Sequence, residues 1–366
     1  GARFVRELAR SRPADSNTVL SPVSAAFALS IPLLGARGAT AREISTTVGV
    51  QDLDSAARQR RTAAAMTSGN GRRDVELSIA NALWVDTLVR LVPSFGDAIA
   101  VYHASIRALP LSAPSTVDAI NAWADSASHG KITKILKEPF ADTTRLFIAN
   151  AVYFKAKWLD HFEKSESRRR DFRLSPGQVV QVDAMERTSY IGYRRRDGYQ
   201  MIRLPYRGGR YAMYLVLPDS SRPIDAVEQE FAQHGWPSSL HSADFRQVHH
   251  VIPRLHVAES YDLAPALKSL GIRLAFDCDR ANFSGIAIDN GRGDRVPLCI
   301  TRATQTVYLD VDEEGTEAAA VTGLTEATIT SLGPPPIQFI IDRPFLFAIR
   351  DELTGADLFA GVIARP

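Results

Sequence analysis

The sequence predicts an α+β fold built as a single domain over residues 1–366, and three observations carry that reading. Helical patterns crowd the first third of the chain. Largely antiparallel strand patterns dominate the remainder, and apolar segments continue along the whole length with neither a Gly/Ser linker nor an internal repeat. With 366 residues and 45% hydrophobic content, the chain is long enough to bury a sizeable core.

The opening "GARFVRELARS" reads as an amphipathic helix with Phe4, Val5 and Leu8 on one side, not as a signal peptide. "PVSAAFALSIPLLGA" and "ATAREISTTVG" come next as helices, then "LDSAARQRRTAAAM", "PSFGDAIAVYHA" and "STVDAINAWADSASHG". Ser115 and Asp118 stand at capping-box spacing, with Asp in place of the preferred Glu, so the last helix is expected to open there. Strands are expected at "VELSIANALWV", "RLFIANAVYFKAKW", "QMIRLPY", "YAMYLVLPD", "RQVHHVIPRLHV" and "TVYLDVD". Two further apolar strands, "RPFLFAIRD" and "ADLFAGVIA", close the chain around "ELTG". In "QTVYLDVD", Val307, Leu309 and Val311 face one way and Tyr308, Asp310 and Asp312 the other.

The segment after that strand is unusual. "DVDEEGTEAAAVTGLTEATI" (310–329) is a long run of Ala, Thr and Gly with no helix caps, no apolar face and no tight-turn signature. Pro334, Pro335 and Pro336 then forbid a central strand. The stretch reads as an exposed loop, and a loop this long inside a compact domain is usually functional.

Composition narrows the function. No apolar run reaches membrane-spanning length, so no membrane partner is expected. The net charge of +2 gives no drive toward nucleic acid. The basic clusters at 58–61, 167–173 and 193–199 read as solvated faces, because acidic residues adjoin two of them and aromatic platforms are not interleaved. Cys278 and Cys299 are the only cysteines, which excludes a disulfide scaffold and a Cys-based zinc site but leaves one bridge or two free thiols open. The chain has no G-x-S-x-G elbow, phosphate-binding loop, dinucleotide fingerprint or H-E-x-x-H. His249, His250 and His256 fall on what reads as one strand, with His250 and His256 too far apart along it for a metal site. No catalytic residue, metal or cofactor is expected, and the protein does not read as an enzyme.

From end to end the residues resemble the serpin family. "NTVLSPVSAAFALSIPLLGARGAT" (17–40), "FIANAVYFKAKW" (147–158), "IRLPYRGGRYAMYLVLPD" (202–219), "ANFSGI" (281–286), "DEEGTEAAA" (312–320), "RPFLF" (343–347) and "LFAGVIARP" (358–366) match in order and rough spacing. The resemblance implies three β-sheets with about nine helices and an exposed reactive-centre loop at about 313–340. Arginine far outnumbers lysine in an Ala-rich chain, which points to a GC-rich genome, and the resemblance is to an inhibitory, prokaryotic-type member. In inhibitory members a protease attacks the loop, an acyl-enzyme forms, and the cut loop enters a sheet as a new strand. The expected partner is a target serine protease, held covalently by a secreted or extracellular monomer.

The hinge implied by the resemblance is Glu313, Glu314, Gly315, Thr316, Glu317, Ala318, Ala319 and Ala320. Inserted, its inward residues would be Thr316, Ala318, Ala320 and Thr322, all small and uncharged, while Glu317 and Ala319 face out. Glu326 is the awkward member of the inward set. The resemblance also implies a breach of Arg254, Glu313 and Trp158, with Arg254 able to pair bidentately. A shutter of Ser21, Ser24 and Asn150 is implied too, with Gln305 where the family usually has histidine, so pH control through that histidine is expected to be missing. Counting seventeen residues from Glu313 puts the reactive bond at Ile329–Thr330, with cuts after Thr328 or Leu332 as the competing positions in a loop long for the family. No Lys or Arg lies between Gly315 and Asp342, so proteases with apolar S1 pockets, of the elastase, chymotrypsin or subtilisin kinds, fit better than trypsin. The alternative is a non-inhibitory member, a binding or chaperone-type module cut as a simple substrate.

Overall fold

The computed structural model describes residues 1–366 apart from 14, 53–58, 60, 63, 65–73, 100–103, 237–244, 290–296 and 317–333. The chain begins with α1 (Ala2–Arg10), β1 (Thr18–Leu20), α2 (Pro22–Gly35) and α3 (Gly38–Val48). Next come β2 (Val75–Asp86), β3 (Arg90–Leu91), α4 (Pro93–Ile99), β4 (Ala104–Leu109), α5 (Pro114–Ala127) and β5 (Leu146–Lys157). A strand-rich stretch succeeds them: β6 (Arg168–Ser175), β7 (Gln178–Arg196), β8 (Tyr199–Pro205) and β9 (Tyr211–Pro218). Then come α6 (Ile224–His234), β10 (Phe245–Pro253), β11 (Leu255–Asp262), α7 (Ala264–Ser269) and β12 (Ala287–Asp289). The chain closes with β13 (Arg302–Val311), β14 (Gly315–Thr316), β15 (Ile337–Ile340), β16 (Phe345–Asp351) and β17 (Ala356–Ile363).

Two large sheets organise these elements, as expected for α+β. The nine-stranded sheet runs β1-β17-β16-β9-β8-β7-β10-β15, with β6 paired to β7. The six-stranded sheet runs β11-β13-β14-β5-β2-β4, and β13 also pairs directly with β5; β3 and β12 form a small third sheet. Every residue of β9 is buried, as are most of β16 and β17, which explains their continuous apolar sequences. α2 opens on Ser21 as N-cap with Pro22 in its first turn, and buries Ala25, Phe27, Ala28, Leu29 and Ile31. α1 buries Val5 and Leu8 and half-buries Phe4, as its periodicity predicts. Cys278 and Cys299 are joined, with Cα atoms 4.7 Å apart.

Several boundaries differ from the sequence reading. The helix at 93 is described over Pro93–Ile99 and the expected residues 100–103 lie outside the described residues, while "ASIRAL" from Ala104 forms β4, whose parallel pairing with β2 outweighs a weak local pattern. α5 starts at Pro114 with Ala113 as N-cap and no side-chain cap, so proline at the first turn displaced the capping box at Ser115. "RQVHHVIPRLHV" is two strands in two sheets. Pro253 cannot donate to a ladder, and the chain crosses over at Arg254, which separates His250 from His256. The basic runs at 167–173 and 193–199 are solvated, as expected, but they lie on β6 and β7, with Phe172 turned into the core.

Candidate functional site: the seam of the six-stranded sheet

Strands β13 and β5 pair in parallel from Arg302 opposite Phe147 to Tyr308 opposite Tyr153. Beyond that point β14 wedges between them, antiparallel to both, with Thr316 facing Val311 on one side and Ala156 on the other. This corrects the reading of 310–329 as wholly exposed loop. Gly315 and Thr316 are buried strand. The reversal is an Asp turn that the sequence reading missed: Asp312 Oδ1 accepts from the amides of Glu314 at 2.9 Å and Gly315 at 3.2 Å. Gly315 is required there, since a β-carbon would lie 2.0 Å from the Ala156 carbonyl oxygen.

The breach residues meet around this turn. Glu313 has a side chain only 1% exposed, and its Oε1 accepts from Arg254 Nε at 3.0 Å and Nη2 at 2.6 Å, and from Ser167 Oγ. The two guanidinium hydrogens converge on one oxygen, so the pair is not the bidentate fork that was expected. Burial opposes the charge, but the bonds from Arg254, Ser167 and its own backbone prevail and hold the Glu313 carboxyl below its usual range. Trp158 donates Nε1 to the Asp312 carbonyl at 2.9 Å and stacks on Tyr206 at 4.5 Å. Its own amide donates to the Glu314 carbonyl at 2.9 Å. Tyr206 Oη meets Thr316 Oγ1 at 2.7 Å, and burial pushes the phenol far up, so it stays a neutral hydrogen-bonding group. Ser167 and Tyr206 carry no local sequence signal for these contacts. Glu317, Ala318, Ala319, Ala320, Ile329 and Thr330 lie outside the described residues.

The residues expected to form the shutter also meet. Gln305 accepts from the Ser21 amide at 2.7 Å and donates to the Ser21 carbonyl at 3.0 Å and to Asn150 Oδ1 at 2.6 Å. Asn150 Nδ2 donates to Ser24 Oγ at 2.6 Å and to Asn81 Oδ1 at 2.7 Å, which adds Asn81 to the set. All five residues are buried. Gln305→Leu strips partners from the Ser21 amide and from Asn150 Oδ1, at about 1–3 kcal/mol for each buried polar group. A clear fall in midpoint by thermal denaturation is expected, with a smaller one for Gln305→His, which keeps hydrogen-bonding capacity.

A different histidine stands behind the breach. His250 is 1% exposed, its ring edge-on to Phe162 at 5.3 Å, and the Phe162 amide donates to the Glu313 carbonyl. Burial lowers its pKa to about 4, partly offset by the Val248 carbonyl and reinforced by Arg187 and His249. A histidine held neutral contributes stability that is complete above its ordinary value of 6.5 and is lost as the pH falls toward 4. The expected loss is about 3 kcal/mol across that window. Denaturant melts at stepped pH check it: His250→Leu is expected to flatten the slope.

Comparisons agree with this geometry. The profile of the family described as Serpin (serine protease inhibitor) matches residues 1–366. Iripin-2 of Ixodes ricinus is 31% identical over 377 residues, covering 99% of this chain and 92% of that protein. A protein named serine protease inhibitor, of Cyanea capillata, is 30% identical over 362 residues, covering 96% of this chain and 93% of its own. The crystal structure of Serpin48, described as a highly specific serpin in the insect Tenebrio molitor, is similar at a TM-score of 0.86 and 30% identity. That match covers 100% of this chain and 95% of Serpin48. With the sheet topology and a match along its whole length, the chain belongs to the serpin family, described as one of serine protease inhibitors and not of enzymes.

Proposed function

We propose that this protein is a secreted, monomeric suicide inhibitor of serine proteases with apolar S1 pockets. The observation that carries the reading is β14: the hinge already occupies the head of a seam whose two strands still pair directly below it. On the register that β14 sets, an advancing loop would bring Ala319 between Tyr153 and Tyr308, and Thr322 between Asn150 and Gln305. A small outward residue would then meet the tyrosines and a small polar inward residue the shutter. Glu326 would come opposite Leu146 and Thr301, where Thr301 is exposed and the sheet ends. Leu146 is fully buried, so the Glu326 carboxylate would have to reach solvent past Thr301.

The protease serine would attack the Ile329 carbonyl, forming an ester as the Thr330 amine departs with residues 330–366. Adding roughly 15 residues at ~3.3 Å each would carry the acylated end about 50 Å along the sheet. Inhibition then depends on insertion outrunning hydrolysis of the ester. The joined Cys278 and Cys299 support an oxidising, extracellular location.

The test is incubation with elastase, chymotrypsin, subtilisin and trypsin, then denaturing gels and mass spectrometry. A denaturant-stable adduct with at least one of the first three and release of residues 330–366 are expected, with no adduct to trypsin. A stable trypsin adduct mapped to this loop would refute the specificity. Cleavage without any adduct would point instead to the binding or chaperone-type module.

A further inference from the structure

The Cys278–Cys299 bridge lies at the foot of the seam. Cys299 stands just ahead of β13 and is 2% exposed, whereas Cys278 is exposed. Cys278 belongs to a turn in which the Arg280 and Ala281 amides donate to the Asp277 carbonyl at 3.2 and 2.8 Å. Asn282 docks that turn on the start of α3: its amide donates to Thr40 Oγ1 at 3.0 Å and its carbonyl accepts from the Arg37 amide at 2.9 Å. The residues after Cys299 divide between two sides. Ile300 donates its amide to the Ala275 carbonyl at 2.8 Å, close in sequence to the bridge. Thr301 reaches across the seam instead, its amide and hydroxyl both on the Leu146 carbonyl of β5 at 3.1 and 2.8 Å. On the register that β14 sets, Thr301 would face Glu326, Ile300 Ala327, Cys299 Thr328 and Leu298 Ile329. The acylated end of an inserted loop would therefore come to rest beside the bridged residues. A strand arriving there parts Thr301 from Leu146 and takes both bonds away. The Ile300 bond and the bridge then hold the end of the track.

We infer that the Cys278–Cys299 bridge is a redox-sensitive clamp on the end of this track, so that the protein traps protease with the bridge closed and is cut as a substrate with it open. The inference rests on the function proposed above. A dithiol attacks the exposed Cys278 sulfur, the S–S bond breaks, and Cys299 leaves as a thiolate that takes up a proton. The second thiol of the reagent then displaces Cys278, which leaves as a thiol while the reagent closes to its own disulfide. Opening the bridge returns chain freedom to the segment between the two cysteines. The last pairings of the inserted strand then form against a loose partner, and hydrolysis of the ester gains on trapping. Reducing compartments keep such a pair open, so the chain becomes competent to trap only in oxidising surroundings.

The experiment uses the full chain, either oxidised or treated with dithiothreitol and desalted without air, and whichever of elastase, chymotrypsin and subtilisin forms the adduct. The ratio of denaturant-stable adduct to free cut chain is expected to fall about tenfold on reduction, equivalent to about 1.4 kcal/mol in the competition between insertion and hydrolysis. The rate of loop cleavage and the bond cut should not change, and reoxidation should restore trapping. Cys278→Ser combined with Cys299→Ala should behave as the reduced chain and ignore the reagent. The deciding measurement adds dithiothreitol to a preformed adduct, where refolding of the free chain plays no part. Active protease should return about tenfold faster than from the untreated adduct. Return at an unchanged rate overturns the clamp, whatever reduction does to the melting temperature, and leaves the proposed function standing. If the oxidised chain is cut by all three enzymes with no adduct at all, the proposed function falls and the clamp with it.

Discussion

On the proposed function, Thr316→Arg is expected to turn an inhibitor into a substrate. Thr316 is completely buried, its hydroxyl held by Tyr206 at 2.7 Å and its backbone paired on both sides. An arginine cannot be housed there, so β14 should leave the sheet while the direct β13–β5 pairing below it keeps the fold intact. Re-entry then asks a guanidinium to pass into the sheet interior, where an unpaired charge costs several kcal/mol even after relaxation. Each ~1.4 kcal/mol on the barrier slows insertion tenfold, so hydrolysis of the acyl-enzyme should win by about a hundredfold or more. The variant should be cut at the same bond as the parent and release active protease. Thr316→Ser should still trap, and Glu317→Arg, outward on the alternation, should be much milder. Trapping by Thr316→Arg as efficient as the parent's would mean that insertion through this hinge is not how the molecule works.

Glu313→Lys is expected to open the breach. The substitution sets an ammonium at a position 1% exposed, facing Arg254 and Ser167, where a carboxylate had taken three hydrogen bonds. Breaking a buried pair costs about 3–5 kcal/mol, and the lower end applies because Arg254 is 44% exposed and partly screened. An opened seam can accept the loop of a second molecule, a head-to-tail contact that propagates. On mild heating, size-exclusion chromatography should show polymers earlier than for the parent. Unchanged melting and polymerisation would reduce the pair to decoration. The carboxyl sits below its usual range when folded, so its contribution is present above that range and is lost as the pH falls through the lowered value. Glu313→Gln should remove that part of the acid sensitivity. Asp312 works in the opposite sense, because burial raises its pKa.

The alternation of β13 was legible: Val307, Leu309 and Val311 are fully buried, as the two-residue period of "TVYLDVD" requires. The shutter residues Ser21, Ser24, Asn150 and Gln305 were legible through the resemblance, and they converge at hydrogen-bonding distance. Asn81 was not, because its role comes only from β2 lying beside β5. β6 and β7 were hidden by their arginines, whose charge masks the single inward Phe172 and its neighbours.

By itself the sequence determined what depends on neighbours along the chain: strand alternation, the apolar helices, and a stretch after Gly315 with small side chains at its start and no Lys or Arg. Only the tertiary structure decided that Gly315 and Thr316 already lie in the sheet, and that Arg254 belongs to the crossing between sheets. It also decided that Ser167 and Tyr206 hold the hinge from 146 and 110 residues away. The physical reason is the range of the interactions. Side-chain size and period are written within a few residues, whereas a buried carboxylate or hydroxyl finds its partners only after strand pairing has brought distant segments to one point.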